Sequence, residues 1–326
     1  MSAPLPIPTD AAPTPNQNGL LKGATILIGE PLDTAAAATR ASLRKEGAQA
    51  VLWRRTMKGV KEALQKGGVD LALVDMTLPD GDAILLARQV RFGEFGDNPF
   101  LPLMITTWRA ETQLITQALA AGADDLLAKP ISASQVAKRV NRIALHRKPF
   151  VATNDYIGPV RSDMDMPATT RPFEAPNRLK ALAFGNSGFD AESQAAFKQA
   201  QLRLAAARIE NCLRALSASA RKALAGAPAT LSDSEHRANV LATAAALRET
   251  LDAAPEGALR DTAKRLSALA DLSTTDHGDA AKAAMLTADI ADAVVMIITH
   301  RDNADMALPE DIITRIDSRF PNLACA

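Results

Sequence analysis

Four polar side chains follow four separate apolar runs in the first half of the chain. Two are the carboxylates of Glu30 and Asp75, one is the hydroxyl of Thr107, and one is the ammonium group of Lys129. Carboxylates bind hard cations such as Mg²⁺, whereas a lysine and a hydroxyl bind the oxygens of a phosphoryl group. If these side chains meet in one cleft, they suit the binding of an oxyanion.

Short apolar runs alternate with segments of helical spacing from residue 24 to residue 147. The apolar runs predict five buried strands, and each is followed by a predicted helix. The strands are expected at residues 25–28, 50–53, 71–74, 103–105 and 125–128. Such alternation implies parallel strands with helices on both faces of the sheet. The four polar side chains then lie at the carboxyl edge, where open α/β sheets bind ligands.

One segment combines an aspartate with a proline four residues later, because residues 73–81 are Leu-Val-Asp-Met-Thr-Leu-Pro-Asp-Gly. Together with Thr107 and with Lys129, which precedes a proline, this segment makes residues 23–148 resemble the receiver domain of bacterial two-component response regulators. The resemblance implies a flavodoxin-like, doubly wound, five-stranded parallel sheet. It also implies that Asp75 accepts a phosphoryl group from a histidine kinase or a phosphotransfer protein.

The same resemblance implies a role for each residue at the predicted edge. Thr107 is expected to follow the phosphoryl group as a switch hydroxyl, and Lys129 is expected to contact the phosphate. Mg²⁺ is expected in the acidic cleft, bound by Glu30, Asp75 and the backbone carbonyl of Thr77.

Three positions depart from the family pattern. Pro31 stands where a second acid usually follows the first strand, so Mg²⁺ binding is expected to be weak. Trp108 replaces the usual small residue after the switch threonine and could narrow the path to Asp75. Leu126 occupies the position of the usual aromatic switch residue.

Asp33 leaves an alternative open, since its carboxylate could replace the missing acid. Capping of the following helix by Asp33 or Thr34 is the expectation, because both residue types are common helix N-caps.

The remainder of the chain divides by composition into three further segments. Residues 1–22 are proline-rich and predict a disordered tail, whereas residues 149–190 predict a proline-rich linker with one ordered patch at 155–159. Residues 191–326 are rich in alanine and predict an all-α helical bundle.

The helical segment is expected to act through protein contacts, as a homodimer or with an output partner. Residues 195–326 hold 15 lysines and arginines against 17 aspartates and glutamates, a net charge of −2 that disfavours a DNA-binding output. The sequence contains no enzyme motif, no membrane segment and no export signal that we recognise. The two cysteines, Cys212 and Cys325, fit a cytoplasmic location.

These patterns predict a response regulator of a phosphorelay that signals by protein contact and is not an enzyme. A phosphorylation-independent scaffold with a receiver-like fold is the alternative, which Pro31 and Trp108 motivate. A transcription factor is a weaker alternative because of the charge count.

Overall fold

A five-stranded parallel sheet lies at the centre of the first half of the chain in the computed structural model, which describes residues 21–153, 155–161, 170–186, 190–225 and residue 291. The strands are β1 (Thr25–Gly29), β2 (Ala50–Arg54), β3 (Leu71–Asp75), β4 (Leu103–Thr107) and β5 (Asp125–Ala128). All neighbours pair in parallel, in the order β2-β1-β3-β4-β5. The predicted doubly wound, flavodoxin-like fold is therefore confirmed.

Five helices alternate with these strands, and three of them begin after a residue whose side chain caps the helix. They are α1 (Asp33–Lys45), α2 (Met57–Gln65), α3 (Ala83–Phe92), α4 (Thr112–Ala120) and α5 (Ala133–His146). Helix α2 begins after Thr56, whose hydroxyl accepts a hydrogen bond from the Gly59 amide at 3.1 Å. Helix α5 begins with a capping box between Ser132 and Gln135.

Two apolar layers cover the faces of the sheet, because successive strand residues point to opposite sides. One layer joins strand residues such as Leu27 and Val74 to helices α2 and α3, through residues such as Val60 and Leu86. The other layer contains Ile26, Ile28, Leu73, Met104, Leu43, Val136 and Val140. Helices α1 and α5 belong to this second layer, so both faces of the sheet are buried.

Further elements follow α5 in the range predicted to be a linker. They are β6 (Phe150–Ala152), β7 (Ile157–Pro159) and α6 (Arg178–Ala183). The ring of Phe100 lies edge-on to those of Phe150, Phe173 and Phe197, with centroids 5.8, 6.1 and 5.9 Å away. Leu179 and Leu182 of α6 join the second apolar layer. Of the order observed in this range, the sequence predicted only the patch at 155–159, because the other apolar residues of the range have no regular spacing.

A long helix, α7 (Ala191–Ala225), begins the predicted helical segment. On this helix, the side chains of Ile209 and Leu213 are buried, whereas that of Leu202 is exposed. Apart from residue 291, which is helical, the helices predicted after residue 225 lie outside the described residues, as does the predicted tail up to residue 20. Leu21, assigned to that tail, is buried. None of the described helices is long and apolar enough to span a membrane.

Candidate functional site

Asp75, the last residue of β3, is completely buried and hydrogen bonded through both carboxylate oxygens. Its Oδ1 accepts hydrogen bonds from the backbone amide of Thr77, at 2.7 Å, and from the Thr77 hydroxyl. Its Oδ2 accepts one from the hydroxyl of Thr106 at 3.1 Å and forms an ion pair with Lys129. These contacts hold the carboxylate in one orientation.

Lys129 joins the two predicted carboxylates of the site. Its ammonium group forms ion pairs with Glu30 and with Asp75, and its side chain is only 3% exposed. Its backbone amide donates to the carbonyl of Thr107 at 2.7 Å, so the end of β4 positions it. We call Glu30, Asp75 and Lys129 the acceptor cluster; the predicted convergence of these three residues is present in the structure.

Glu30 reaches the cluster because the chain turns sharply after β1. Its Oε1 accepts a hydrogen bond from the Leu32 amide at 3.1 Å, and its backbone carbonyl accepts one from Trp53 Nε1 at 2.8 Å. With two carboxylates against one ammonium group, the cluster carries an excess of one negative charge when all three are ionised.

Thr107 lies next to the acceptor cluster, but its hydroxyl forms hydrogen bonds with the backbone of Arg109 and not with the cluster. It accepts from the Arg109 amide at 3.1 Å and donates to the Arg109 carbonyl at 3.2 Å. The preceding residue, Thr106, makes the contact with Asp75 instead, because the two residues pair in register on β3 and β4. Sequence reasoning missed Thr106, because side-chain alternation shows only that Thr106 and Thr107 point to opposite faces of the sheet, and the register that pairs Thr106 with Asp75 is set in the folded sheet.

The oxygen ligands available to a metal in this cluster are few. No group of three or more histidine, cysteine, aspartate or glutamate side chains that could hold a metal occurs among the described residues. Mg²⁺ keeps several water ligands and is usually bound through one or two carboxylates. The carboxylates of Glu30 and Asp75 therefore fit a Mg²⁺ ion, with Lys129 competing for the same oxygens.

Asp33 does not cap helix α1, so the capping expectation was wrong for Asp33 and for Thr34. The N-cap is Leu32, which makes no side-chain cap bond, and Asp33 is the first helical residue. The carboxylate of Asp33 instead forms an exposed ion pair with Arg55. Arg55 lies in the loop that follows β2, and sequence spacing alone does not reveal that it pairs with Asp33.

Trp108 and Leu126, the two other departures from the family pattern, have different surroundings. The side chain of Trp108 is 52% exposed, and its ring centre lies 5.5 Å from Lys129 Nζ. Leu126 is partly buried and packs against the first apolar layer.

A second buried charged cluster lies at the amino edge of the sheet. Asp124, just before β5, accepts hydrogen bonds from Arg91 Nη2 at 2.9 Å and from Arg147 Nε at 2.7 Å. It also accepts one from the amide of Leu103 at 2.9 Å. We call Arg91, Asp124 and Arg147 the arginine cluster. The sequence pattern did not predict it, since its members are far apart in the chain.

Backbone carbonyls complete the arginine cluster. Arg91 is fully buried and donates to the carbonyls of Gly122, Pro99 and Leu101 at 2.8, 2.8 and 2.7 Å. Burial lowers the pKa of Arg91 to about 10. Burial acts to raise the pKa of Asp124, but the two arginines outweigh it and the pKa lies below its ordinary value.

The first half of the chain is similar to known signalling proteins. Residues 26–141 match the model of the response regulator receiver domain. The swarming motility regulation protein RssB of Serratia marcescens is 32% identical over 111 residues, which cover 34% of this chain and 49% of that protein. The two-component response regulator PhoP of Pseudomonas aeruginosa is 31% identical over 96 residues, covering 29% of this chain and 41% of that protein. The chain thus spans less than half the length of these curated relatives.

A solved structure also resembles this part of the chain. The receiver domain of the sensor histidine kinase PA1611 from Pseudomonas aeruginosa, with a magnesium ion in its active site cleft, is 25% identical. The match covers 37% of this chain and 95% of that one, with a TM-score of 0.33.

Proposed function

We propose that this chain, whose residues 26–141 form the receiver domain of a response regulator, accepts a phosphoryl group on Asp75. The observation that carries the proposal is the contact of Lys129 with both Asp75 and Glu30 in a buried cluster. The phosphoryl donor is a sensor histidine kinase or a phosphotransfer protein.

The acceptor cluster suits phosphoryl transfer because it places a nucleophile beside a fixed positive charge. An oxygen of the Asp75 carboxylate forms the new bond to phosphorus, while the donor's leaving group departs with the electron pair of its own bond. The ammonium group of Lys129 is already beside Asp75 and balances negative charge on the phosphoryl oxygens. A lysine held in advance avoids the cost of moving a charge into a buried site during the reaction.

Mg²⁺ is the proposed cofactor, held by Glu30, Asp75 and the backbone carbonyl of Thr77. When bound, it supplies further positive charge for the phosphoryl oxygens. Weak binding is proposed, since Pro31 provides no side-chain oxygen and Asp33 is engaged with Arg55.

Thr107 is the proposed switch residue. Its hydroxyl now holds the loop after β4 through the backbone of Arg109. If that hydroxyl instead donated a hydrogen bond to a phosphoryl oxygen, its hydrogen bonds to Arg109 would be lost. The loop that leads into α4 would then change its conformation. Phosphorylation would in this way alter a surface that another protein can recognise.

The docking of a donor protein is supported by exposed apolar side chains near the carboxyl ends of the strands. Leu32 follows β1, Leu85 lies in the first turn of α3, and Trp108 follows β4, with exposures of 49, 51 and 52%. Aromatic side chains such as that of Trp108 are enriched in protein interfaces. The acceptor cluster lies at the same edge of the sheet.

The proposed output is protein contact by the helical segment, with a homodimer as the proposed assembly and the cytoplasm as its location. The net charge of −2 over residues 195–326 is the basis for proposing that it does not bind DNA. The thiol of Cys212 is buried, which suits a reducing compartment.

Treatment with a small acyl phosphate, with and without Mg²⁺, tests the acceptor directly. Intact mass of the full chain is expected to rise by one phosphoryl group, and Asp75→Asn is expected to abolish the rise. Asp33→Asn is the matched control and is expected to label normally, because Asp33 is paired with Arg55 at the surface.

Two results would contradict the proposal. Unchanged labelling of Asp75→Asn would show that the acceptor is another residue. A folded wild-type chain that never gains mass would favour the phosphorylation-independent scaffold.

A further inference from the structure

The hydroxyl of Thr106 lies on the carboxylate of Asp75, where the family resemblance implied no contact. Thr106 Oγ1 donates to Asp75 Oδ2 at 3.1 Å, and Thr106 is only 4% exposed. The register of β3 and β4 pairs these two residues directly, so the backbone itself places the hydroxyl there. The carbonyl of Thr106 also accepts a hydrogen bond from the Met76 amide at 2.9 Å, which fixes the strand beside the acceptor.

We propose that Thr106 is a positioning residue that shortens the lifetime of the phosphorylated chain, an inference that rests on the proposed function of Asp75. The contact is made to a carboxylate, and hydrogen bonds to charged groups are about twice as strong as those between neutral groups. Phosphorylation forms a bond between a carboxylate oxygen and phosphorus, which removes the charge from Asp75. Thr106 therefore stabilises the free carboxylate more than the acyl phosphate.

The same difference accelerates hydrolysis of the acyl phosphate. The oxygen of a water molecule forms a bond to phosphorus, and the bond between phosphorus and Asp75 breaks. The electron pair of the broken bond returns to the carboxylate, inorganic phosphate leaves, and the proton from water passes to solvent. Since negative charge returns to Asp75 in the transition state, a hydroxyl on Oδ2 lowers the barrier.

The other donors to Asp75 leave a defined role for Thr106. Both bonds from Thr77 go to Oδ1, so Thr106 and Lys129 are the partners of Oδ2. The Thr107 hydroxyl is bonded to Arg109 and does not duplicate this contact. Removing the Thr106 hydroxyl thus leaves Lys129 alone on that oxygen among the described contacts.

The test compares Thr106→Val, which keeps the size of the side chain, with Thr106→Ser, which keeps the hydroxyl. Each full-length chain is labelled with a small acyl phosphate, the donor is removed, and loss of the phosphoryl mass is followed. Thr106→Val is expected to lengthen the half-life by roughly three- to tenfold, the effect of weakening one charge-assisted hydrogen bond. Thr106→Ser is expected to restore the wild-type half-life.

The matched control is Thr39→Val, which removes a buried hydroxyl that donates to the carbonyl of Ala35 at 2.9 Å, outside the acceptor cluster. It is expected to leave the half-life unchanged. A half-life in Thr106→Val equal to or shorter than that of the wild type would overturn the inference, as would a serine variant that behaves like the valine variant.

A second measurement does not require phosphorylation. The ¹³C resonance of the Asp75 carboxyl carbon is expected to move in Thr106→Val and to stay in place in Thr39→Val. An unmoved resonance in Thr106→Val overturns the positioning role. If the wild-type chain accepts no phosphoryl group, the proposed function is wrong, and so is the proposed effect on the lifetime. The ¹³C resonance still shows in that case whether Thr106 orients the carboxylate.

Discussion

Each of the two edges of the sheet carries a buried cluster of charged residues, and the net charges of the two clusters have opposite signs. At the carboxyl edge, the acceptor cluster sets two carboxylates against one lysine. At the amino edge, the arginine cluster sets two arginines against one carboxylate, that of Asp124. Both clusters are almost closed to solvent, so each must be stabilised by nearby partners.

The partners of the excess charge distinguish a binding site from a structural cluster. The excess positive charge of the arginine cluster is distributed over backbone carbonyls, including those of Gly122 and Leu101. The excess negative charge of the acceptor cluster has hydroxyl and amide donors from Thr77 and Thr106, and the part of the chain that the structure describes supplies no second ion-pair partner to it. The excess charge at the amino edge is therefore balanced by hydrogen-bond partners within the protein, whereas the carboxyl edge can still bind a positive ion.

The largest expected effect comes from breaking the arginine cluster. Asp124→Asn leaves Arg91 and Arg147 buried without their carboxylate, so we expect a loss of roughly 3–5 kcal/mol in the free energy of unfolding. Urea denaturation measures this loss.

The neighbouring residue provides the matched control for that change. Asp125 pairs with Arg139 and Arg142, whose side chains are 39 and 52% exposed. Asp125→Asn is expected to cost about 1 kcal/mol or less. Because the side chain of Asp125 is itself only 9% exposed, equal losses in the two variants would show that the burial of the arginine partners does not determine the loss.

An intermediate effect is expected when the carboxyl edge gains an acid. Pro31→Asp adds a hard oxygen ligand near Glu30, and we expect Mg²⁺ to bind roughly tenfold more tightly, which corresponds to about 1.4 kcal/mol. Titration calorimetry of the full chain measures the affinity. Pro31→Ala is the control because it removes the ring without adding a ligand. If both variants bind Mg²⁺ equally, the missing acid is not what limits affinity.

The smallest expected effect is the response of the arginine cluster at the amino edge to acid. Because the pKa of Asp124 lies below its ordinary value, its contribution to stability is present above about pH 4 and is lost as the pH falls through the pKa of the folded state. We expect the urea midpoint of the wild type to fall below about pH 4. The fall is expected to be shallower in Asp124→Asn. Parallel curves for the two proteins would assign the acid sensitivity to other carboxylates.

The sheet and the acceptor cluster were predictable from sequence because each part has a local signal. Asp75 and Lys129 each follow an apolar strand, and parallel strands bring their carboxyl ends together. The arginine cluster was not predictable, since Arg91, Asp124 and Arg147 meet only after three different elements have packed. The capping expectation at Asp33 failed because a tertiary partner, Arg55, took the carboxylate.

The threonine pair at the end of β4 shows a different kind of limit. The resemblance directed attention to Thr107, and nothing in the local sequence states which of two adjacent hydroxyls meets the acceptor. The register between β3 and β4 decides it in favour of Thr106, because that residue pairs with Asp75. Register depends on the packing of both apolar layers and is therefore a property of the folded sheet.

Both tryptophans of the chain touch the acceptor cluster, which makes the intrinsic fluorescence of the protein an optical reporter of that cluster. The indole N–H of Trp53 is bonded to the carbonyl of Glu30, and the ring of Trp108 lies beside the ammonium group of Lys129. Indole emission responds to nearby charge and polarity. Arrival of a cation or a phosphoryl group thus changes the surroundings of every strong fluorophore in the molecule, without a dye or an added label.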